Sequence, residues 1–576
     1  MKNRYLKNGQ TFLLALLVLS IGACKKDGFL NVPPKGTLTN QITFSTSSNA
    51  DLFLNDIYSN LPDINNEDEI LDQYTDNDFV GASWMTGQSL VRSGGINQSN
   101  VPRGPANEFY WSNAVSGGTG LYDKIRKCNV FLAEVAANKS AYTAAWVTES
   151  MAEATFLRAF FYSILYTNYG QVPIVTTPLD NQNGSDIFTP TSTRDQVLTF
   201  IEADCDAAAA ALPTTTASGD NGRPTKGAAI TLKGWVQLFA ASPLVNTTND
   251  VTKWATAAAT NKQVMDLNVY SLFAPADGTG FQSQFLLENN WNSETIFARG
   301  YALPNNGHKR EGILGPVIVN GGEQAWGNLA PTQNLVDDYE MDNGKPITDP
   351  TSGYDPQHPY VHREQRFYQS ILYDGAMWQG DIWESRIGGN NQIDLGSTSD
   401  ISNTGYNGIK TLDPRINGQV SLNVHSNTSN YIFYRYAEVL LSYAEAQNEA
   451  VGPDQSVYTA VNTVRTRSAL PNLPTGLSQT DMRTDIRRER RIELAFEDKR
   501  WYDIRRWDIT TGPNGVLTNP DYGMEITPND AVPHTTNLTY KKVIIFSNTY
   551  KEYQNWLPIP LTAIQSNKNL TQNPGY

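Results

Sequence analysis

The feature that most constrains this chain is a charged stretch near its C-terminal end, residues 485–507, which reads DIRRERRIELAFEDKRWYDIRRW. At 100° per residue, Ile486, Ile492 and Phe496 lie in one arc of a helix, and charged side chains lie within the same arc. A face that is only solvated does not need interleaved isoleucine, phenylalanine and tryptophan. The pattern therefore predicts one helix whose charges point into the core as a buried network of ion pairs.

Partners for this network must come from other parts of the chain, because like charges such as Glu489 and Glu493 lie one helical turn apart. A catalytic role for either glutamate is disfavoured, since neighbouring arginines lower the pKa of a buried carboxyl and make it a poor general acid. The residues assigned to the structural network are Arg487, Arg488, Glu489, Arg490, Glu493, Arg500 and Arg505.

The N-terminus has the pattern of a secretory signal: basic residues at its start are followed by an apolar run, residues 12–21, that is too short to span a bilayer. Small residues directly before Cys24 are similar to a bacterial lipobox, which predicts removal of residues 1–23 and lipidation of Cys24 by acyl chains such as palmitate. The alternative is a secreted protein with an incidental cysteine. Residues 24–45 then form the lipidated N-terminus and a polar tether.

The charge of the mature chain bears on its partners. Removal of the signal takes away three of the 44 basic residues and none of the 58 acidic ones, which leaves a net charge of −17. Nucleic acid is disfavoured as a partner, because duplex binding needs a basic surface. Cys128 and Cys205 could form one disulfide or remain as buried thiols, and no later apolar run is long enough for a membrane-spanning helix.

Helical periodicity dominates two parts of the chain. Before residue 275 it predicts a first helix around residues 50–57, further helices from residue 121 onward, and a helix apolar nearly all round at 154–166. Late in the chain it predicts a helical pair around residues 436–464. About four such pairs would give a mainly α, tetratricopeptide-like fold. The expected division is 46–275 and 276–576, in one compact unit, with a loop-rich insertion at about 278–430.

The common catalytic motifs are missing from the sequence. The five histidines lack metalloprotease or zinc-ligand spacing, and no nucleophile elbow, phosphate loop or dinucleotide fingerprint occurs. Whether the chain binds a structural calcium is left open. A glycoside hydrolase remains a remote alternative, because it needs only two carboxylates at a suitable separation and the sequence does not fix such distances.

Aromatic residues outside the helical stripes suggest a binding surface, because a sugar ring stacks on an aromatic face while nearby polar groups bond its hydroxyls. For each aromatic residue taken singly, core packing is the alternative. The chain is expected to bring a loop at residues 74–84 and a region at 322–383 to one face. The residues assigned to ligand binding are Tyr74, Asp76, Asp78, Trp84, Trp326, Trp378 and Trp383.

Residues 487–507 resemble the signature of the SusD/RagB-like family, R-R-E-R-x-x-E-L-A-F-E-x-x-R-x-x-D-L-R-R-W, with Ile504 in place of the usual leucine. Further motifs follow the family in order, among them EATFLRAFFYSILYTNYGQVPIV, RYAEVLLSYAEAQNE and LPIPLTAIQSNKNLTQNPGY. The chain is thus identified as similar to outer-membrane nutrient-binding lipoproteins.

The resemblance implies a SusD-like fold and a protein that is not an enzyme and uses no cofactor. It implies a lipid-anchored protein on the outer surface of the outer membrane that captures oligosaccharide and delivers it to a SusC-like TonB-dependent transporter. The alternatives are a peptide ligand, as in the RagB branch, and a purely structural partner of the transporter.

Overall fold

In the computed structural model the described residues are 40–82, 84–112, 119–179, 187–217, 219–395, 402–530 and 536–576. The predicted signal peptide and Cys24 lie outside the described residues. The α-helices are α1 Asn40–Thr43, α2 Ser47–Ser59, α3 Thr86–Arg92, α4 Leu121–Ala137, α5 Ala144–Tyr169, α6 Arg194–Ala211, α7 Lys226–Ala241, α8 Val251–Asp266, α9 Gly280–Ser283, α10 Arg310–Leu314, α11 Gln333–Val336, α12 Gln365–Ser370, α13 Gly418–Val424, α14 Tyr436–Val451, α15 Gln455–Arg467, α16 Gln479–Glu493, α17 Arg500–Arg506 and α18 Leu561–Ser566.

The strands are short, and each pairs with one antiparallel neighbour. Strand β1 pairs with β8, β2 with β3, β4 with β7, β5 with β6, and β9 with β10. Their bounds are β1 Thr295–Arg299, β2 Ile318–Val319, β3 Gly322–Glu323, β4 Ile371–Leu372, β5 Met377–Trp378, β6 Asp381–Ile382, β7 Asn407–Gly408, β8 Tyr431–Arg435, β9 Pro520–Pro528 and β10 Leu538–Ser547.

The long helices pack as a row, in which α4, α5, α6, α7 and α8 each contact the next. Their N-termini are capped where the sequence offers a hydroxyl: Thr193 and Thr225 accept backbone N–H groups at the starts of α6 and α7. Helix α5 is buried on most sides, as its all-round apolar sequence predicts. The mainly α fold of helical hairpins is confirmed.

The row does not end with α8. Helix α8 packs against α14, and α14 in turn contacts α15 and α16, so the chain leaves the row after α8 and returns to it after the long insertion. Side chains from both ends of the chain, such as Phe44 and Ile559, share the larger apolar core with these helices. Sequence periodicity cannot show this arrangement, because the two packed helices are separated by the whole insertion.

The insertion contributes most of the residues of a second apolar core. Phe367, Tyr406 and Leu412 are buried there, and Ile492 and Phe496 from the charged stretch join the same cluster. The charged stretch therefore lies against the insertion as well as against the helices.

The prediction of one continuous helix over the charged stretch is wrong. Helix α16 ends at Glu493 and α17 begins at Arg500. Between them Phe496 and Asp498 have φ values of 63° and 61°, in the left-handed region. The carboxylate of Asp72 accepts the N–H groups of Phe496 (3.2 Å) and Asp498 (3.1 Å), which replaces hydrogen bonds that a continuous helix would supply.

The two cysteines that lie in the described residues do not form a disulfide. Cys128 and Cys205 are both free and buried, and burial raises the pKa of both thiols. Of the two alternatives that the sequence leaves open, the structure has the buried thiols. No helix in the described part of the chain has the length and apolar character needed to cross a bilayer.

Candidate functional site

Glu493 lies at the centre of the charged stretch and is fully buried. It accepts hydrogen bonds from Arg366 (3.2 Å), Arg435 (2.7 Å) and Arg467. Burial by itself raises the pKa of this carboxyl, but the arginines outweigh it and hold the pKa well below its usual range. An acid that stays ionised in this way does not deliver protons near neutral pH.

Two more of the residues assigned to the network, Glu489 and Arg490, form ion pairs. Glu489 pairs with Arg366 (2.6 Å) and Arg465 (3.1 Å), and Arg490 pairs with Asp503 (2.8 Å). We call Glu489, Glu493 and Glu497 together with Arg366, Arg435, Arg465 and Arg467 the arginine network. Its arginines come from α12, β8 and α15, so it joins the insertion to the helical row.

Three further arginines that the sequence analysis assigned to the network pack in other ways. Arg505 lies over the ring of Trp501 at 4.2 Å and donates to the backbone carbonyl of Thr167 (3.0 Å), and burial lowers its pKa to about 10. Arg487 lies over the ring of Trp507 at 4.8 Å. Arg488 is partly exposed and pairs with its neighbour Asp485 (3.2 Å). These three arginines support packing around the network rather than its centre.

Asp76, assigned to ligand binding, instead pairs with the charged stretch. Its carboxylate accepts hydrogen bonds from Arg500 (2.9 Å) and forms an ion pair with Arg491 (2.8 Å). Burial raises the pKa of Asp76, but the two arginines outweigh it and lower the pKa to about 2. Because Asp76 is buried and its oxygens face arginines, a sugar hydroxyl at the surface cannot reach this carboxylate.

Tyr74 and Asp78 are likewise interior residues, which corrects their assignment to a binding surface. The Tyr74 ring is buried at 5.8 Å from the ring of Trp501, and its hydroxyl donates to Glu69 (3.0 Å). Asp78 accepts the backbone N–H of Ala330 (2.7 Å), and burial raises the pKa of its carboxyl to about 8. The loop lies inside because its polar side chains bond to other segments rather than to solvent.

Trp378 and Trp383 are buried in the second apolar core. The backbone of Trp383 donates to the carbonyl of Ala376 (2.9 Å), and Trp378 pairs with Asp381 across the turn of the β5–β6 hairpin. Their ligand-binding assignment rested on loop aromatics having no packing partner. In this structure the insertion provides one, so both rings serve as core.

Trp84 and Trp326 differ from the other assigned aromatics, because they reach solvent. The Trp84 side chain is 48% exposed, and Trp326 is half-buried. The segments that carry them run side by side: the N–H of Phe79 donates to the carbonyl of Ala330 (3.0 Å), and the Gln73 amide donates to the carbonyl of Asn328 (2.8 Å). These hydrogen bonds join residues 73–79 to residues 328–330, so the two segments are neighbours in the fold.

Charged groups that the sequence analysis did not select lie beside Trp326. The Lys309 ammonium is 5.2 Å from the centre of the Trp326 ring, and it is 3.9 Å from the carboxylate of Asp68, whose side chain is 53% exposed. Asn66 accepts the N–H of Lys309 (3.2 Å), and Asn328 donates to the carbonyl of Asp68 (3.1 Å). Contacts link Lys309 to Trp326 and to Asp68, and Trp84 is grouped with them through the paired backbone segments; we call these four residues the Trp84–Trp326 surface.

This surface combines the groups that sugar recognition uses. An aromatic face packs against the C–H groups of a pyranose, while an ammonium donates to hydroxyls and a carboxylate accepts from them. Lys309 and Asp68 have no sequence motif that marks them. Only their contacts with the tryptophan-bearing segments identify them.

Metal sites need groupings of ligand side chains. Within the ranges that the structure describes, no three His, Cys, Asp or Glu side chains are grouped as metal ligands. His308 is buried against Ser429, and burial together with Arg310 lowers its pKa to about 3.

A family model described as the SusD family matches residues 287–576, half of the chain. The chain belongs to the SusD family. A second SusD-like model, described as starch-binding and associating with the outer membrane, matches residues 29–238. As a member of this family, the chain is a binding protein and not an enzyme.

Individual SusD-like proteins match over much of the chain. SusD-like protein P25 of Formosa agariphila is 24% identical over 492 residues, which is 79% of this chain and 78% of that protein. SusD-like protein P2 of the same organism is 35% identical, but over only 173 residues, 28% of this chain and 29% of that protein.

Solved structures show the same fold. A SusD-like protein of Bacteroides fragilis aligns with a TM-score of 0.75 at 26% identity and covers 94% of this chain and 99% of its own. A SusD-like carbohydrate-binding protein of the same organism aligns with a TM-score of 0.73 at 23% identity, over 92% of this chain and all of its own.

Proposed function

We propose that this SusD family member captures an oligosaccharide on the Trp84–Trp326 surface and delivers it to a SusC-like TonB-dependent transporter. The observation that carries the binding proposal is that Trp84 is exposed and Trp326 is half-buried, with Lys309 over the Trp326 ring and paired with Asp68. The family is one of carbohydrate-binding proteins associated with the outer membrane, which supports both the ligand class and the location.

The surface is suited to binding because hydrogen bonds from two sides hold the neighbouring segment, residues 68–79, in place. The segment at 68–79 bonds to 326–332 on one side and to the charged stretch on the other, through Asp72 and Asp76. Two rigid aromatic side chains on such a base lose little conformational entropy when a ligand binds.

Isothermal calorimetry with an oligosaccharide library, starting with soluble starch and maltoheptaose, tests the site. We expect Trp84→Ala and Trp326→Ala each to weaken binding at least about tenfold, a loss of ~1.4 kcal/mol typical of a central aromatic contact. Phe188→Ala is the matched control, since Phe188 is 42% exposed and its segment bonds to Asn569, far along the chain. Unchanged affinity in both tryptophan variants would remove this site assignment.

The ligand class and the absence of catalysis are tested together. Peptide pools in place of glycans examine the RagB-like alternative, and binding of peptides alone would replace oligosaccharide with peptide as the ligand. Chromatography of the glycan after long incubation should return it unchanged. Shortened products from the pure protein would instead favour the glycoside hydrolase alternative.

The anchor and the partner complete the proposal. Lipid on Cys24 would hold the protein at the outer membrane, so Cys24→Ala should release it from membranes of cells that lack the transporter. Membrane retention of that variant would contradict the lipid anchor. Cross-linking in intact cells, followed by mass spectrometry, should recover a SusC-like protein with the wild type, and its absence would argue against delivery to a transporter.

A further inference from the structure

A pocket elsewhere on the molecule shares no lining residue with the Trp84–Trp326 surface. It has a volume of about 140 Å³ and lies between the α6–α7 connection, the segment after α8, and strand β1. We call it the Trp291 pocket, and the residues that define it are Thr214, Asn221, Tyr270, Trp291 and Thr295.

Trp291 occupies a backbone conformation that is unfavourable for a bulky residue. Its φ is 59°, in the left-handed region, while its ring is half-buried. Two glycines make room for the edge of the ring: a Cβ at Gly222 would lie 3.2 Å from Cη2, and a Cβ at Gly300 would lie 3.0 Å from Cζ2. The local backbone therefore allows the indole to be placed where it lines the pocket.

Thr295 supplies an unused hydrogen-bonding group to the same pocket. Its Oγ1 is buried and has no hydrogen-bond partner among the described residues. A buried hydroxyl in this state costs stability, and because Oγ1 is inaccessible to solvent, a molecule in the pocket reaches it only after the Thr295 side chain rotates about χ1. The side chains of Thr214 and Asn221 add further hydroxyl and amide groups at the exposed edge.

The pocket offers no free charge to a ligand. Among its lining residues only Arg223 is a charged side chain, and that guanidinium already donates to Glu153 (2.7 Å) and Asn55 (2.7 Å). The Tyr270 hydroxyl bonds to Thr225 (2.8 Å). An indole face with neutral donors and acceptors favours a neutral ligand that has hydroxyl groups and an apolar face.

The volume limits how much of a ligand can enter. A water molecule occupies about 30 Å³ of liquid, so the pocket holds more than one water. It is smaller than the roughly 300–1,000 Å³ clefts that enclose drug-sized ligands. This size suits one sugar ring rather than an oligosaccharide.

We propose that the Trp291 pocket is a second glycan site that takes a single neutral sugar residue, such as a chain end or a branch. The sugar stacks on the indole of Trp291, and one of its hydroxyls bonds to Thr295 Oγ1 once that side chain has rotated towards the pocket. The ligand class rests on the proposed function, whereas the location does not depend on the Trp84–Trp326 surface.

Fluorine NMR of protein labelled with 5-fluorotryptophan tests the site directly. The Trp291 resonance is assigned from its loss in Trp291→Phe, and the methyl glycosides of glucose, galactose, mannose and xylose are titrated singly. We expect at least one glycoside to shift this resonance. No shift with any of the four would overturn the proposal.

Substitutions at Thr295 test the hydrogen bond. Thr295→Val removes a hydroxyl that has no partner in the free protein, so its melting temperature should not fall, while glycoside affinity should drop about fivefold to tenfold. Thr295→Ser keeps the hydroxyl and should retain most of the affinity. Equal affinity in the Val variant and the wild type would contradict the assigned role of Oγ1.

The outcome separates this inference from the proposed function. In Trp326→Ala the Trp291 resonance should still respond to glycoside, although binding of oligosaccharide is weakened. If oligosaccharides bind through Trp326 but the Trp291 resonance never moves, only the second site fails. If no saccharide binds to the wild type by either method, the proposed function fails as well.

Discussion

The arginine network and the Trp84–Trp326 surface use similar side chains for opposite purposes, and they share one segment, residues 68–79. On the inner side Asp72 and Asp76 bond to the break before α17 and to Arg500. On the outer side Asp68 reaches solvent, and so does Trp84, five residues beyond the end of the segment. What packs against a charged or aromatic side chain, rather than its type, decides whether it stabilises the fold or remains free for a ligand.

The largest expected effect comes from breaking the inner side at its centre. Glu493→Ala leaves Arg366, Arg435 and Arg467 close together without their shared anion, which should cost roughly 3–5 kcal/mol of unfolding free energy. Thermal or urea unfolding measures it. The matched control is Glu288→Ala, which removes an exposed pair with Arg415 and should cost at most ~1 kcal/mol. Similar losses in the two variants would mean that the network behaves as surface charge.

A smaller effect is expected at the link between the two sides. Asp76→Asn keeps the shape but removes the charge that Arg491 and Arg500 contact, at a cost of about 1.5–3 kcal/mol at pH 7. The folded pKa of Asp76, about 2, lies below the unfolded value, so this stabilisation is present above about pH 4 and lost as the pH falls towards 2. Unfolding of both proteins across this range should show the gap closing, and a gap independent of pH would contradict the ion pairs.

Asp78 should respond in the opposite direction. Burial raises its folded pKa to about 8, above the unfolded value, so the wild type loses stability at this position as the pH rises from about 4 to 8. Asp78→Asn, which can still accept the N–H of Ala330, should be more stable than the wild type at pH 8. The two proteins should be equally stable near pH 4. Lower stability of the variant at pH 8 would show that the carboxylate is ionised and paired.

The smallest effect on stability is expected on the outer side. Trp84→Ala removes a ring that is 48% exposed and should change unfolding free energy by no more than about 0.5 kcal/mol, although it weakens oligosaccharide binding. Trp383→Ala, at a buried position, should cost about 3–5 kcal/mol. Equal losses of stability would show that Trp84 is packed like Trp383.

The sequence predicts the helices well, because α4 to α8 carry apolar stripes at helical spacing and end at recognisable signals. It also predicts that charges in the 485–507 stretch are buried. It does not predict their partners, since Arg366 and Arg435 lie far from Glu493 along the chain. The break at Phe496 is hidden as well, because the Asp72 carboxylate that favours it comes from a distant segment.

The candidate site is harder to predict from the sequence than the fold is. Trp378, Trp383 and Trp326 look alike in the sequence, as aromatics in regions rich in glycine and asparagine. Only the second apolar core separates the two buried rings from the half-buried one. Trp291 gives no signal in the sequence, because its significance depends on a left-handed backbone and on glycines at 222 and 300.

The hydrogen bonds of Asp72 and Asp76 to residues 496–500 also affect when the fold can form during synthesis. A chain that grows from its N-terminus carries Trp84 and Trp326 long before it contains Arg500, so the base beneath the binding surface cannot close until nearly the whole polypeptide has been made. Contacts between residues so far apart in sequence form late in folding, and the segments they join remain unpaired until then. For a polypeptide exported unfolded, as the signal sequence predicts for this chain, this order of synthesis leaves residues 68–79 without their partners at 496–500 until the chain is nearly complete.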